Sequence, residues 1–538
     1  MKLQWNDVVN NRAAWEAKGY HLPAFDREAV AAKTAEAPEW VHFGAGNIFR
    51  AFVANTWQKV LEAGKGTTGI IAAEGFDYEI ITSSYRPHDN LALAVTLKAD
   101  GSIDKDVVAS IVDSVIVDSE NAEEWGKLLK IFEAPSLQMA SFTITEKGYS
   151  LRNAKGEIAP LVADDFAAGP ACPKSYIGKV ASLLYHRFEV GALPISMVSM
   201  DNCSHNGTKL YDAVNAYAQA WEANGLVKAG FAAYVNDPAK VGFPWSMIDK
   251  ITPRPDPGVK KMLEDDGFED TESVVTSKKT YVAPFVNAEE AQYLVIQDWF
   301  PNGHPALEEG GIIFTDRETV DKIEKMKVCT CLNPLHTALA VYGCLLGYQK
   351  ICDEMQDEDL VKLIHTIGYV EGLPVVVDPG IISPKAFIDE VLTKRFPNPF
   401  MPDTTQRIAT DTSQKLAIRF GETIQAYLRD EDKDPASLNL IPLVQAGWCR
   451  YLLGIDDEGN AFELSPDPLL DDVRPYLANV KLGEVRDFHE DLAPILSDAK
   501  IFAVNLYEVG LGEKVEKYFA ELVAGRGAVR ETLKKYTA

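Results

Sequence analysis

The sequence predicts an α/β fold with a mostly parallel sheet, followed by a mainly α-helical domain. Over roughly the first 300 residues, short apolar runs that are typical of strands alternate with helical periods. Beyond them, strand-like runs become rare and helical periods dominate. These observations divide the chain of 538 residues into two expected domains, residues 1–300 and 301–538.

The first domain is expected to open with a helical arm and to continue with strands that each end in a glycine or polar loop. The predicted strands are residues 41–43, 69–73, 138–145 and 194–200, and helices are predicted at 48–61 and 207–224. The second domain has predicted helices at 337–347, 357–369, 383–395, 412–428 and 513–524. Ser383 precedes Pro384 at one helix start, where a capping hydroxyl and a first-turn proline are both favoured.

Acidic residues outnumber basic ones, with 79 Asp and Glu against 53 Lys and Arg, and the net charge is −26. Duplex nucleic acid and anionic membranes both attract basic surfaces, so neither is an expected partner. The composition, 46% hydrophobic and 25% charged, is ordinary for a globular protein. The longest apolar stretch, 338–347, is too short to span a bilayer, and the first residues lack the apolar core of a secretory signal.

The seven cysteines are odd in number and scattered, and no C-x-x-C pair occurs. This pattern indicates reduced thiols in a cytoplasmic protein rather than a disulfide framework. Cys329 and Cys331 stand near His336, but zinc sites usually draw on two ligand pairs at recognisable spacing. No metal is therefore expected.

The first predicted strand ends in Gly44-Ala45-Gly46 and opens a helix, an arrangement that can bind a dinucleotide. Glycines let the backbone approach a pyrophosphate, and the helix N-terminus offers free N–H groups and a positive dipole end. Phe49 stands where a third glycine is usual, so a plain strand-to-helix turn is the alternative. The expected cofactor contacts are Gly44, Gly46, Asn47, Ile48 and Arg50, with Arg50 facing a phosphate.

An acidic residue at the end of the second strand would accept hydrogen bonds from both ribose hydroxyls of NAD and repel the extra phosphate of NADP. Glu74 holds that position, and Asp77 is the second candidate. NAD is therefore the expected cofactor, although surface acids are common in so acidic a chain.

Two polar residues follow predicted strands or apolar segments in the first domain. Asn202 comes directly after the strand 194–200, and ligands of open α/β sheets lie beyond the carboxyl ends of strands. Its amide could stabilise developing alkoxide charge, or its loop could only cap the next helix. Asp249 lies in an apolar context, where a buried carboxylate either pairs with a cation or has a raised pKa.

Lys327, Asn333 and His336 cluster among apolar residues of the second domain. A lysine beside apolar groups can act as a general base, Asn333 could stabilise an oxyanion, and His336 could bind a substrate hydroxyl. Each also has a structural explanation, as a lysine that reaches solvent, a helix-capping asparagine or a core histidine. Arg407 and Lys415 are eight residues apart and close to one helix face, where they could bind a polyhydroxylated or carboxylated ligand or simply face solvent.

Six segments, in this order, resemble the polyol-specific long-chain dehydrogenases, the mannitol dehydrogenase family. They are GAGNIFRAF at 44–52, TITEKGY at 143–149, SMDNCSHNG at 199–207, MIDKITP at 247–253, VIQDWFPNGHPALEEGG at 295–311 and RFPNPFMPDTTQRIATDTSQK at 395–415. The resemblance extends from about residue 38 to about residue 520.

The resemblance implies a Rossmann-like first domain, a helical second domain, an active site between them and metal-free hydride transfer to or from NAD(P). By motif, Lys327 would exchange the proton with the substrate hydroxyl, and Asn202 and Asn333 would polarise the substrate oxygen. It further implies that the substrate is oriented by His336, Arg407 and Lys415, that Asp249 tunes the site and that Glu324 relays protons.

Within the family, the chain resembles enzymes that interconvert D-fructuronate and D-mannonate, and Arg407 and Lys415 would meet the substrate carboxylate. Oxidation of mannitol and reduction of tagaturonate are alternative activities. An NAD-containing epimerase or a non-catalytic sugar sensor is an alternative of another class. The expected ligands are NAD and a small sugar acid or polyol, and a monomer is compatible with the sequence, which leaves the oligomeric state open.

One spacing departs from the family pattern. Asn333 follows Lys327 by six positions, where the family has five. An extra residue on a regular helix would rotate Lys327 by about 100° relative to Asn333. We expect a bulge or turn between 328 and 332 to absorb it, because Glu324 keeps its place relative to Lys327; otherwise Lys327 is not the base.

The expected ligands are anions, so their site must be locally positive within an acidic protein. Arg50, Lys327, Arg407 and Lys415, with the dipole of the glycine-turn helix, are the groups expected to make it so.

Overall fold

The computed structural model describes all residues, 1–538, and the chain divides into two compact units. The first unit comprises residues 1–98 and 102–321, and the second comprises residues 322–538 together with 99–101.

A six-stranded parallel sheet forms the centre of the first unit. Its strands are β1 (Trp40–Phe43), β2 (Ile70–Glu74), β3 (Ile111–Ile116), β4 (Met139–Phe142), β5 (Ile195–Ser199) and β6 (Val241–Gly242). Their spatial order is β3-β2-β1-β4-β5-β6, which is the strand order of the dinucleotide-binding Rossmann fold. Every residue of β1, β2, β4 and β5 is buried, as expected for strands covered on both faces. The predicted α/β fold with a mostly parallel sheet is confirmed.

Alternate residues of these strands pack into two separate hydrophobic cores, one on each face of the sheet. On one face, Phe43 packs with Trp125 and Trp221 from the covering helices. On the other face, Trp40 packs with Trp57. The helices of this unit are Trp5–Asn10, Arg12–Ala17, Arg27–Glu36, Ala54–Glu62, Ala122–Glu133, Thr145–Gly148, Pro160–Ala168, Tyr176–Glu189, Asn206–Ala223, Phe231–Val235 and Pro257–Asp266.

The first unit also contains strands that the sequence does not predict. A four-stranded sheet has the order Tyr20–His21, Ile103–Val108, Ala92–Leu97 and Phe285–Glu289, with its middle pair antiparallel. A short antiparallel hairpin joins Val274–Val275 to Tyr281–Val282. The strand Ile103–Val108 has the sequence IDKDVV and is only partly buried. A partly buried strand lacks the continuous apolar run that is typical of the central sheet.

The division between the units lies later than the expected one at 300/301. A three-stranded sheet joins β7 (Ser246–Asp249) to β8 (Tyr293–Gln297) and β8 to β9 (Ile313–Thr315). Pairing of β9 with β8 holds the residues after 300 in the first unit, which extends to Asp321.

The second unit is built from helices and loops. Its helices are α1 (Arg317–Met326, which begins in the first unit), α2 (Asn333–Leu346), α3 (Ile351–Glu354), Glu358–His365, Pro384–Glu390, α4 (Thr405–Ile408), α5 (Thr412–Leu416), Glu422–Arg429, Leu440–Tyr451, Leu470–Val473, His489–Leu496, Ala499–Phe502, Gly512–Leu522 and Ala528–Thr537. The buried helix Leu440–Tyr451 packs against α2 and against Gly512–Leu522. The Ser383 hydroxyl accepts a hydrogen bond from the Ala386 N–H, which confirms the predicted helix cap. The predicted helical second domain is confirmed.

Six π-helical segments interrupt or extend the helices, at Phe49–Val53, Ile81–Tyr85, Lys327–Cys331, Thr366–Gly372, Val391–Arg395 and Ala417–Gly421. The segment Lys327–Cys331 joins α1 to α2, and the Leu332 N–H donates to the Lys327 carbonyl oxygen at 3.1 Å, five residues back. A π turn takes one more residue than an α turn and so absorbs an insertion. The bulge expected between 328 and 332 is confirmed.

The joined helix 317–346 has 30 residues and is by length and composition able to cross a membrane. Of the most apolar 18-residue stretch of this helix, 78% is buried inside the protein. A core helix of a globular fold has the same properties, so this helix is weak evidence for a membrane span.

Candidate functional site

The glycine turn lies at the carboxyl end of β1, in the middle of the parallel sheet. Gly44 has φ +101°, and a Cβ at this position would lie 2.2 Å from the Thr143 carbonyl oxygen. A Cβ on Gly46 would meet no atom within 4 Å. Gly44 is therefore required by the fold itself, whereas Gly46 faces open space that a pyrophosphate could enter.

These two glycines make a matched pair for an experiment. Gly44→Ala is expected to lower the thermal midpoint, because both the backbone conformation and the approach to Thr143 exclude a methyl group. Gly46→Ala is expected to keep the wild-type midpoint but to weaken NADH binding, since its methyl group points into the open space. Differential scanning fluorimetry and NADH fluorescence titration measure the two effects. Equal NADH affinity of Gly46→Ala and wild type would contradict the assignment of this face to a cofactor.

Glu74 braces the glycine turn from the end of β2. Its Oε2 accepts a hydrogen bond from the Ala45 N–H at 2.8 Å, and its Oε1 accepts from the N–H groups of Phe76 and Asp77 at 2.7 and 3.0 Å. The side chain is buried, and burial raises the pKa of its carboxyl group. The sequence does not show these backbone contacts, which place Glu74 at the turn; its contact with a ribose stays a prediction.

Asp77, the second candidate, is also buried. Its Oδ2 accepts a hydrogen bond from the Thr276 hydroxyl at 2.6 Å, and its Oδ1 has no hydrogen-bond partner. Two carboxyl groups therefore lie close together at the end of β2, and that of Asp77 has one oxygen without a hydrogen-bond partner.

Arg50 is placed differently from the expectation that it faces a phosphate. Its guanidinium is 2% exposed and donates to the Ala283 carbonyl oxygen at 2.7 Å and to Asn47 Oδ1 at 2.8 Å. Arg50 belongs to the π-helical segment Phe49–Val53, and every residue of this segment is buried. Its charge is therefore not available at the surface of the turn, where Asn47 and Ile48 remain partly exposed.

Asp201 organises the loops at the carboxyl ends of β4 and β5. Its carboxylate accepts hydrogen bonds from the N–H groups of Ile144 and Thr145, each at 2.9 Å, and from the Tyr149 hydroxyl at 2.5 Å. The next residue, Asn202, is exposed, and its amide makes no hydrogen bond within the protein. The motif loops 143–149 and 199–207 are thus joined to each other, and one free amide is presented at the edge of the sheet.

Asp249 and Glu324 lie on regular elements. Asp249 ends β7 and is 4% exposed. Glu324 is partly exposed on α1, one turn before Lys327. Their predicted roles in tuning and proton relay stay predictions.

Lys327, Asn333 and His336 lie along the joined helix of the second unit. Lys327 begins the π-helical segment and is 5% exposed. Asn333 begins α2, and its side-chain amide, which is partly exposed, makes no hydrogen bond within the protein. The proline that follows Asn333 is favoured at the start of a helix, so the local sequence fixes where α2 begins.

His336 is held neutral by its surroundings. Burial lowers the pKa of its imidazole well below the usual range, and the positive charges of Arg419, Arg407, Arg395 and Lys415 lower it further. Its Nε2 lies 3.5 Å from Asp403 Oδ2. A neutral imidazole can both donate and accept a hydrogen bond, which suits a residue that binds a substrate hydroxyl.

These four cations, Arg395, Arg407, Lys415 and Arg419, form what we call the basic cluster. Arg407 pairs with Asp403. Burial raises the pKa of Asp403, although the positive charges of Arg407 and Arg395 act to lower it. The Lys415 amino group donates to the carbonyl oxygens of Ile408 and Thr410. The cluster places four cations near His336 in the second unit, without Arg50; that this charge receives an anionic ligand stays a prediction.

Sequence reasoning misses Arg419 and Asp403 as members of this site, and it includes Arg395 only as the start of the motif 395–415. Arg419 follows Lys415 by four residues and Asp403 precedes Arg407 by four, a spacing that places each pair on one helix face. That spacing is the signal that could have found two of them.

The structure contains no group of three or more His, Cys, Asp or Glu side chains that could hold a metal ion. All seven cysteines are free thiols.

Known proteins similar to this chain share both of its units. The family model described as the mannitol dehydrogenase Rossmann domain matches residues 38–309, and the model described as the mannitol dehydrogenase C-terminal domain matches residues 319–522. The D-mannonate oxidoreductase of Thermotoga maritima is 54% identical over 531 residues, which cover 98% of each chain. The mannitol 2-dehydrogenase of Cereibacter sphaeroides is 30% identical over 82% of this chain and 85% of its own length.

Solved structures show the same fold. A substrate-free D-sorbitol dehydrogenase superposes with a TM-score of 0.77 at 24% identity, covering 96% of this chain and 97% of its own. The mannitol 2-dehydrogenase of Pseudomonas fluorescens in complex with NAD and D-mannitol superposes with a TM-score of 0.68 at 24% identity, covering 99% of each chain. Since the two family models account for most of the chain and a relative that is 54% identical covers 98% of it, this protein belongs to the mannitol dehydrogenase family.

Proposed function

We propose that the protein is an NAD-dependent oxidoreductase that transfers hydride between nicotinamide and a keto sugar acid, reducing D-fructuronate to D-mannonate. The observation that carries the proposal is the basic cluster around a neutral His336, in a chain 54% identical to a D-mannonate oxidoreductase. Neutral polyols offer no charge that would offset such a cluster, whereas a sugar acid does.

The residues of the glycine turn fit NAD. Gly46 leaves room for the pyrophosphate, and the N-terminus of the following helix offers a positive dipole end. The buried carboxyl groups of Glu74 and Asp77 at the end of β2 would repel the extra phosphate of NADP. When bound, NAD supplies or accepts the hydride.

The remaining residues bind the substrate and handle the proton. In ketone reduction, Lys327 would give a proton to the substrate oxygen, and in alcohol oxidation it would accept one. Asn333 lies at the positive end of the α2 dipole with a free amide, so it can donate to an oxygen that is gaining negative charge. Asn202 keeps its proposed role as a second donor, and His336, Arg407 and Lys415 orient the substrate. Asp249 would tune the site, and Glu324 would relay protons to Lys327.

The test is NADH oxidation with D-fructuronate, D-tagaturonate and D-fructose, measured in parallel on one enzyme preparation. We expect the highest kcat/KM with fructuronate and a lower rate with NADPH than with NADH. Turnover of fructose alone would overturn the proposal in favour of a mannitol dehydrogenase, and preference for tagaturonate would make it a tagaturonate reductase. Conversion of one sugar into another without net loss of NADH would identify an epimerase. Binding of a sugar without any conversion would identify a sensor.

The partner proposed is a small sugar acid, with no nucleic acid or membrane. The seven free thiols support a cytoplasmic location for this activity.

A further inference from the structure

Arg419 is tied to the start of α2 through only one of its terminal nitrogens. It lies on the π-helical segment Ala417–Gly421. Its Nη1 donates to the Asn333 carbonyl oxygen at 3.3 Å and to the Thr337 hydroxyl. The guanidinium therefore lies beside the helical turn that carries Asn333 and His336.

The other edge of this guanidinium is unused. Nε is buried without a hydrogen-bond partner, and Nη2, on the same edge, donates to no protein group. Burial lowers the pKa of Arg419 to about 10, and no acidic group opposes that shift. Several other arginines of this unit have carboxylate partners, such as Asp491 for Arg486 and Asp357 for Arg530.

Lys415 adds a second positive charge beside Arg419. Burial and the charge of Arg419 lower the pKa of Lys415, and Asp411 and Asp467 oppose this shift only in part. The positive charge of Lys415 and Arg419 is therefore balanced only in part by acidic groups of the protein. Desolvated charge of this kind is stabilised by an anionic ligand.

We propose that the Nε–Nη2 edge of Arg419, with Lys415 beside it, binds the carboxylate of the sugar acid and so sets the preference for keto acids over neutral ketoses. The inference rests on the proposed function and adds a specificity residue to it. A guanidinium edge and a carboxylate form two parallel charge-assisted hydrogen bonds, which a neutral hydroxymethyl group cannot replace. Arg407 suits this role less, because it is 56% exposed and already pairs with Asp403.

The experiment compares fructuronate with fructose, a ketose that lacks the carboxylate, in wild type, Arg419→Gln and Arg419→Lys. We expect Arg419→Gln to lower kcat/KM for fructuronate by about 100-fold, mainly through KM, and to change kcat/KM for fructose by less than about threefold. Arg419→Lys keeps the charge but not the fork and should lose about tenfold with fructuronate only. The control is Arg429→Gln, an exposed arginine 3.7 Å from Glu422, which should change neither substrate.

The outcomes separate this inference from the proposed function. A wild-type enzyme that does not reduce fructuronate overturns the proposed function. If the wild-type enzyme reduces fructuronate, two results for Arg419→Gln overturn the carboxylate subsite alone. The first is unchanged activity, and the second is an equal loss on both substrates at an unaltered thermal midpoint. If Arg419→Gln does not fold, the test is the ratio of kcat/KM for fructuronate to kcat/KM for fructose in Arg419→Lys. A ratio equal to that of wild type overturns the subsite.

Discussion

Lys327→Met is expected to lower kcat for ketone reduction by about a thousandfold while NADH binding stays at the wild-type level. Hydride transfer to a ketone builds negative charge on its oxygen, and a methionine of similar length neither donates the proton nor offsets that charge. Lys327 is 5% exposed, so water replaces it poorly. Steady-state kinetics with fructuronate and NADH fluorescence titration measure the two quantities.

A matched control lies two residues away on the same helix. Lys325 is exposed, and a step of two residues turns the side chain by about 200° around the axis. Lys325→Met should therefore retain the wild-type kcat. If Lys327→Met keeps wild-type kcat across the pH range, Lys327 is not the acid or base of the reaction.

Glu354→Gln is expected to raise stability at pH 8 by a few kcal/mol and to flatten the dependence of stability on pH. Glu354 ends α3 with no exposed surface, and Gly343 of α2 passes so close that a Cβ there would contact its carboxyl group. The Thr405 hydroxyl donates to its Oε1 at 3.0 Å, and Oε2 has no partner. Burial raises the pKa of Glu354 to about 9 from an ordinary 4.5, so the folded protein holds it protonated at neutral pH.

The direction of the pH effect follows from these two pKa values. Above pH 4.5 the unfolded chain loses this proton while the folded protein keeps it until about pH 9. The contribution of Glu354 to stability is therefore greatest below pH 4.5 and falls by about 1.4 kcal/mol for each pH unit through that window. A glutamine does not ionise, so its variant should lack this slope.

Thermal midpoints of wild type and Glu354→Gln at pH 5, 6.5 and 8 test the effect. Glu431→Gln, on the exposed loop between the helices Glu422–Arg429 and Leu440–Tyr451, is the control and should follow wild type. Parallel curves for wild type and Glu354→Gln would show that Glu354 ionises as an ordinary carboxyl group.

Much of the central fold was predictable because its signals are local. Strands covered on both faces need apolar side chains throughout, so β1, β2, β4 and β5 stand out as apolar runs. The helices of the second unit carry a helical period, and the turn at Gly44 needs a residue without a Cβ. The half-charged strand Ile103–Val108 gives no such signal, since one side of it faces polar surroundings.

The directions of side chains were less predictable. Arg50 and Glu74 occupy the positions that the motif assigns, yet Arg50 points inward and Glu74 holds the backbone of the turn. Arg419 reads as an ordinary helix arginine until packing places it beside His336. Partners more than 80 residues apart, such as Arg419 and Thr337, meet only through the fold.

By itself the sequence determined the sheet of alternating strands and helices, the glycine turn, the family motifs and the need for a bulge after Lys327, because each depends on residues close together in the chain. Only the tertiary structure decided which cationic side chains lack an acidic partner and which acidic side chains are protonated. Arg407 meets Asp403, Arg419 meets no acid, and Glu354 is sealed from water. Charge and desolvation depend on everything packed around a group, and that surrounding is assembled from distant parts of the chain.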